Sequence, residues 1–398
     1  MKKILLVTTV LALSVSLHAT KVEIGSNQEI FVDGKPFFPI MQWAQSKNKM
    51  EEQKQYGINT FFGQGDESTA EAYAAEAARL GLFVVTAFKE EQVDSVRNSP
   101  ALLGWLYKDE PDMPGKDKKA PRIPLAESIA VYEKARALDK DHPMFLTLTP
   151  KFDPNIEKVN YDISFYRDYN KATDIIGYDI YPVYGTMSVD KLWWVASGVT
   201  ELERLYKGKP VYAFIETSAG SKWISPARMR HPFPYEIRCE VWMAIIRGAK
   251  GIAYFTHSWV APENIGNPNM KKRMADDKSN KYYTQFGVPE ENKKELTRIN
   301  SQITKLTPVL FTPDISGKVS RETSGAGEVE ILVKEKDGKT WIFAVNMKRS
   351  GCAVKFKVPG LKAKTKILVD EENRTLEAGA QGFSDNFTEH AVHIYTLE

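Results

Sequence analysis

The chain has 398 residues, a length that suits one large α/β domain accompanied by one small domain. Its 42% hydrophobic and 26% charged residues are typical of a globular protein that buries a core without help from disulfides or metals. Lys and Arg number 54 against 51 Asp and Glu, and this near-neutral balance excludes a strong basic field for nucleic acid or an anionic membrane.

The N-terminus predicts an export signal. Lys2 and Lys3 form a short basic start, an apolar stretch covers residues 4–17, and Leu17-His18-Ala19 places a small residue at the cleavage position. The stretch is shorter than the roughly 20 residues that span a bilayer. We therefore expect residues 1–19 to be removed, leaving a periplasmic or secreted protein with no membrane attachment.

The mature sequence predicts a β-hairpin followed by alternating strands and helices. Lys21 to Ile40 alternates apolar and polar residues around the turn Val32-Asp33-Gly34-Lys35. Helical spacing appears in Ser68–Leu80, Leu125–Leu138 and Pro234–Arg247. The predicted strands are Phe37–Met41, Ile58–Phe62, Leu82–Phe88, Leu102–Tyr107, Met144–Thr147, Asp174–Ile180, Val211–Ile215 and Gly251–Phe255. Eight strands alternating with helices predict a closed (β/α)8 barrel.

A change of pattern near residue 307 predicts a second domain. Glu290–Leu306 reads as the last barrel helix, and short alternating strands follow it. These are Val329–Val333, Thr340–Val345, Ala353–Val358 and Thr365–Val369, and Asp337-Gly338 is a strong hairpin signal between the first two. We predict a barrel domain over residues 20–306, including the N-terminal hairpin, and an antiparallel β-sandwich over residues 307–398.

The cysteines and histidines give little sign of a disulfide framework or a metal site. Cys239 and Cys352 fall in different predicted domains, so their pairing stays open. His390 and His393 are three residues apart in a predicted strand and would point to opposite faces. We therefore predict neither a metal nor another cofactor.

Two carboxylates follow predicted strands at the end where barrel active sites form. The fourth strand leads into Asp109-Glu110-Pro111, and the seventh into Ile215-Glu216-Thr217. Cleavage of a glycosidic bond with retention needs such a pair, one carboxyl neutral to protonate the leaving oxygen and the other ionised to attack the anomeric carbon. We therefore predict Glu110 and Glu216 as the catalytic pair.

These segments resemble the motifs of the clan A glycoside hydrolases, which are retaining (β/α)8 enzymes. Asp109-Glu110-Pro111 is similar to their Asn-Glu-Pro at the fourth strand, and Glu216 stands where their nucleophile ends the seventh. The segment from Asp179 to Tyr181 resembles their sixth-strand ending. The resemblance implies that Glu110 is the acid/base and Glu216 the nucleophile. It also implies that Tyr181 hydrogen-bonds the nucleophile, that Asp109 contacts the sugar 2-position, and that Asp179 binds substrate or has a structural role.

Aromatic and polar residues after the predicted strands are candidates for binding a carbohydrate substrate, because sugars present flat C–H faces together with hydroxyl groups. They are Gln42, Trp43, Gln64, Trp223, His257 and Trp259. We expect a retaining β-glycosidase that acts on an extracytoplasmic poly- or oligosaccharide. Two alternatives stay open: a substrate-assisted hexosaminidase that uses Asp109 and Glu110, and a carbohydrate-binding protein without catalysis.

Overall fold

The structure is a computed structural model that describes residues 19–116, 120–158, 162–276 and 281–398. Residues 1–18 of the predicted leader lie outside this described part. Eight parallel strands close into a barrel in chain order, which confirms the predicted (β/α)8 fold. From first to eighth they are Ile40–Gln45, Thr60–Gln64, Phe83–Ala87, Leu102–Leu106, Met144–Leu148, Ile175–Tyr178, Val211–Glu216 and Gly251–Phe255.

Helices surround the barrel and pack their apolar faces against its outer surface. They are α1 Met50–Lys54, α2 Ala70–Leu80, α3 Val93–Val96, α4 Leu125–Leu138, α5 Pro182–Thr186, α6 Trp194–Leu205, α7 Pro234–Ile246 and α8 Glu290–Leu310. In α2 the Thr69 side chain caps the first turn, and Gly81 ends the helix in a left-handed conformation. No helix in the described ranges combines the length and the apolar character needed to cross a bilayer.

The first two barrel strands and α8 lie further along the chain than the sequence predicts. The strands Ile40–Gln45 and Thr60–Gln64 both continue into glutamines, because pairing with neighbouring strands extends beyond the apolar runs. The last helix continues through Pro308 to Leu310. Val309 and Leu310 are buried, so packing sustains the helix through a proline, which lacks the backbone N–H that a helix interior uses.

The barrel interior is filled by alternate side chains of its strands. Phe62, Phe145, Tyr212 and Phe214 form a group of ring contacts with centroid separations of 5.4 to 6.3 Å. At the N-terminal end of the barrel, the predicted hairpin forms a three-stranded sheet of Val22–Ile24, Ile30–Val32 and Lys35–Pro36. Its apolar residues join the interior core, so the open end is the C-terminal mouth.

The C-terminal region consists of two antiparallel sheets, as predicted. The three-stranded sheet contains, in spatial order, Ser320–Gly325, Cys352–Lys357 and Gly382–Phe387. The five-stranded sheet contains Val329–Lys336, Lys339–Asn346, Val392–Leu397, Lys366–Val369 and Arg374–Glu377. A separate apolar core that includes Val333, Phe356 and Tyr395 lies between the sheets.

The five-stranded sheet also packs on the barrel helices. Trp242 of α7 stacks on Phe343 of this sheet with ring centroids 5.5 Å apart, and both side chains are fully buried. Apolar residues from both regions form one continuous core. Cys239 and Cys352 are buried free thiols.

Candidate active site

The loop after the fourth strand brings Asp109 and Glu110 to the barrel mouth. Glu110 has a left-handed backbone with φ of 43°, a conformation that is unfavourable for a residue with a side chain. Asp112 anchors the loop from below: it is fully buried and accepts hydrogen bonds from the Thr149 backbone N–H at 3.0 Å and the Tyr166 hydroxyl at 2.8 Å. Asp112 therefore positions Glu110, a role that the sequence reasoning missed.

Three carboxyl groups meet at this mouth. Asp179 follows the sixth strand, and its side chain is hydrogen-bonded to that of Glu110. Burial, followed by the charge of Glu110, raises the pKa of Asp179 well above its ordinary value. Burial also raises the pKa of Glu110, although the hydrogen bond from Asp179 opposes this rise. The pair therefore retains a proton to a higher pH than two separate carboxyls would.

Asp109 and Tyr181 complete this cluster. Part of Asp109 is open to solvent, yet the surrounding protein and the charge of Glu110 raise its pKa to about 7. The pKa of Tyr181 rises well above its ordinary value, first through burial and then through the carboxylates Asp179, Asp109 and Glu110. Tyr181 thus faces the carboxyl cluster, whereas the resemblance implied a hydrogen bond to Glu216.

Glu216 occupies different surroundings. It ends the seventh strand, is fully buried, and accepts hydrogen bonds from the backbone N–H groups of Val183, at 2.8 Å, and Tyr184 at the start of α5. Its carboxyl also meets that of Glu240 on α7. Burial raises the pKa of Glu216 to about 7 and that of Glu240 well above its ordinary value. In this conformation Glu216 does not reach the open mouth.

A group of aromatic side chains extends from the carboxyl cluster across the eighth-strand side of the mouth. The Tyr181 and Phe255 rings lie 4.7 Å apart, and Phe255 lies 6.4 Å from Trp259. Tyr283 lies 5.3 Å from Trp259 and is 41% exposed. Trp43 is partly exposed at the end of the first strand, with its ring 5.5 Å from Phe214.

His257 supports these rings without contacting solvent. Its Nδ1 is 2.8 Å from the Tyr283 hydroxyl and its Nε2 is 3.2 Å from the Trp43 carbonyl oxygen. Since a carbonyl only accepts, Nε2 carries the hydrogen and Nδ1 accepts from Tyr283. Burial lowers the pKa of His257, so the ring is neutral. His257 therefore positions Tyr283, which the sequence analysis did not identify.

The remaining candidates lie in three different settings. Gln42 is fully buried and donates to the Thr256 hydroxyl at 2.8 Å, because Met41 and Trp43 point into the barrel and Gln42 points outward. Gln64 donates to the Ser68 carbonyl and accepts from the Thr86 hydroxyl, so both ends of its amide already have hydrogen-bond partners. Gln42 and Gln64 are therefore not presented to a ligand here.

Trp223, by contrast, is 67% exposed on the loop after the seventh strand. Within the described part of the chain, no three His, Cys, Asp or Glu side chains are grouped so that they could hold a metal ion.

No protein-family model and no curated protein sequence matches the chain. Solved structures with a similar fold include a family 5 glycoside hydrolase from Bacteroides vulgatus, with a TM-score of 0.55 and 11% identity over 95% of this chain and 92% of that one. A family 39 glycoside hydrolase from Bacteroides cellulosilyticus WH2 has a TM-score of 0.52 and 12% identity, over 93% and 85% of the two chains.

An α-amylase from Geobacillus thermoleovorans, solved with acarbose, has a TM-score of 0.53 and 10% identity, over 90% and 98%. At these identities the likenesses establish the fold.

Proposed function

We propose that this chain is a glycoside hydrolase that acts at the C-terminal mouth of its barrel. The observation that carries the proposal is the proton-sharing pair of Glu110 and Asp179, beside the aromatic rings that begin at Tyr181. Protonation of a leaving oxygen needs a carboxyl that keeps its proton to a higher pH than usual, and burial raises the pKa of Glu110 in that direction. The names of the structures with a similar fold support the same class of reaction.

The direct test is to incubate the purified protein with a panel of polysaccharides and aryl glycosides and to measure the reducing ends that hydrolysis releases. Glu110→Ala is expected to slow hydrolysis of natural substrates and to spare aryl glycosides with good leaving groups, which need little protonation. Equal activity of this variant on both substrate types contradicts the assignment. Binding of saccharide without turnover by the unaltered protein favours a carbohydrate-binding protein without catalysis.

For the attack on the anomeric carbon we propose double displacement on a β-glycoside, with Glu216 as nucleophile and retention of configuration. The position of Glu216 after the seventh strand supports this route. The route requires Glu216 to leave the N–H groups of Val183 and Tyr184 and to lose any shared proton, so the start of α5 must move. The predicted leader supports a substrate outside the cytoplasm.

One observation favours a second candidate, a substrate-assisted hexosaminidase. In that mechanism the 2-acetamido group of the substrate attacks the anomeric carbon, and a carboxylate beside the acid orients it. Asp109 and Asp179 lie beside Glu110, whereas Glu216 is fully buried and has a structural role.

The two routes give opposite results with mechanism-based ligands. A 2-deoxy-2-fluoro glycoside is expected to label the peptide containing Glu216 if double displacement operates. Strong inhibition by a thiazoline, with no labelled peptide, supports substrate assistance.

A further inference from the structure

The aromatic surface beside the carboxyl cluster is flat and extended. We call Phe255, Trp259 and Tyr283 the aromatic floor. The Phe255 and Trp259 rings are inclined by 26°, and each is inclined by 27° to the ring of His257 at 5.2 and 6.0 Å. In a single stack of three parallel rings, the two outer rings would be further apart than these rings are. The three nearly parallel rings therefore lie partly side by side. The steps between rings are comparable to the length of one pyranose unit.

The loops that carry this floor are held in place. The Trp259 N–H donates to the Gly220 carbonyl at 2.9 Å, and Ser258 and Thr284 exchange backbone hydrogen bonds at 3.0 and 2.8 Å. Gly220 has a φ of 114°, and any side chain there would overlap Ser258. The loops also share a small apolar core formed by Ala219, Ile224, Met229 and Val260. The floor is therefore pre-formed, which lowers the entropic cost of binding a ligand.

A cation lies on this floor. The Lys222 ammonium is 4.7 Å from the centroid of the Trp259 ring, and within the described residues it forms no ion pair with a carboxylate. Trp223, the next residue, is the exposed indole described above. The Ala275 N–H donates to the Lys222 carbonyl at 2.9 Å, so the loop containing Lys272 and Arg273 is attached directly to this segment. Residues 271–277 of that loop comprise three basic and two acidic residues, so the segment joined to Lys222 carries a small net positive charge, although the whole chain is close to neutral.

We propose that Lys222 and the aromatic floor form a subsite for a sugar that carries a negative charge, either a carboxylate or a sulfate. The proposal rests on the proposed glycoside hydrolase function and specifies its substrate as an acidic polysaccharide. The sugar ring stacks on the aromatic floor. Its anionic group forms a hydrogen bond with the Lys222 ammonium, which then leaves the face of the Trp259 ring. A charge-assisted hydrogen bond exceeds an exposed cation–π contact in strength, so this exchange is favourable. The carboxyl cluster lies beyond Tyr181, at the other end of the run of rings from Lys222, which orients the acidic sugar away from Glu110.

Affinity electrophoresis tests this proposal in the Glu110→Gln background, where the gel polysaccharide stays intact. The gels contain polygalacturonate or alginate as carboxylate polymers, a sulfated galactan, or neutral xylan and mannan. We expect retardation in at least one anionic gel, and the carboxylate and sulfate gels identify which anion binds. Lys222→Gln should weaken that binding by at least about tenfold, and Lys222→Arg should retain most of it. Added salt should reduce the difference.

Lys207→Gln is the matched control, because Lys207 is exposed just after α6, at the barrel end opposite the mouth. Retardation in neutral gels only, or equal anionic binding by the Lys222→Gln and Lys207→Gln variants, overturns the acidic subsite and leaves the glycoside hydrolase proposal standing. Absence of binding in every gel, together with absence of hydrolysis by the unaltered protein, removes the proposed function and this subsite with it.

Discussion

The buried pair of Glu216 and Glu240 makes the stability of this protein depend on pH in a way that one substitution should remove. Both oxygens of Glu240 are buried, and among the described residues Glu216 supplies the groups placed to bond them, its carboxyl and its backbone. Two such carboxyls lie together only if they hold a proton. Replacing Glu240 by Gln supplies an amide N–H that donates to Glu216 without any proton from solution.

The size of the effect follows from the pKa of Glu216. Its folded value of about 7 exceeds the ordinary value of 4.5, so unfolding releases a proton above pH 4.5. The stabilisation is therefore complete below pH 4.5 and is lost as the pH rises to about 7, a loss of about 3 kcal/mol at about 1.4 kcal/mol per pH unit. Burial and the charge of Glu216 also raise the pKa of Glu240, so its contribution has the same sign. Glu240→Gln removes its own contribution and reduces that of Glu216.

Urea unfolding followed by tryptophan fluorescence at pH 5, 6 and 7 measures this difference. Between pH 5 and pH 7, the free energy of unfolding of the unaltered protein should fall by about 2 kcal/mol more than that of Glu240→Gln. Glu335→Gln changes an exposed carboxylate and should reproduce the unaltered pH profile. Parallel profiles for the unaltered protein and Glu240→Gln would refute a shared proton between Glu216 and Glu240.

Three further predictions concern packing and the loops at the mouth. Trp242→Ala removes the buried ring that stacks on Phe343 and should lower the free energy of unfolding by about 3–5 kcal/mol in urea, whereas a change below about 1 kcal/mol would contradict this packing role. Removal of residues 307–398 should reduce solubility before it alters bond cleavage, and a folded but inactive barrel would argue against that order. Gly220→Ala should weaken turnover of polymers more than that of small aryl glycosides, because the new methyl group overlaps Ser258. The control is Gly34→Ala, since Gly34 has a φ of 74° and open space around it. Equal effects of both variants on polymer turnover would count against loop positioning.

The sequence predicts the barrel well because strand and helix periodicities reflect the same alternation of buried and exposed faces that the fold uses. It predicts strand ends less well, since Gln45 and Gln64 stay in strands through pairing rather than through apolar character. A single position of error has a large consequence at Gln42. Adjacent strand residues point to opposite faces, so a residue that seemed to follow a strand at the mouth lies within it and faces outward.

Contacts between distant segments account for what the sequence analysis missed at the site. Tyr283 reaches the mouth from a long loop after the eighth strand, and its contact with His257 in the structure identifies it as a residue of the site. Glu240 lies on a helix whose apolar pattern gives no sign of a carboxyl partner, so the burial of Glu216 against it was not predictable from local spacing. The motif around Glu110 contained the anchoring Asp112, but its role depends on Thr149 and Tyr166 in later segments.

Glu110 and Glu216 have different surroundings, and this difference bears on which carboxylate reacts. Glu216 satisfies two backbone N–H groups that would otherwise be unpaired at the start of α5, so its polar atoms stabilise the fold as they stand. Glu110 sits on a left-handed backbone, beside two other carboxyls with raised pKa values, and this arrangement costs stability. Selection for stability alone would remove an arrangement that costs stability. Such an arrangement therefore persists where it contributes to activity. The unfavourable geometry therefore supports Glu110 as the group that transfers the proton in the proposed reaction, and Glu216 can join that reaction only if the start of α5 releases it.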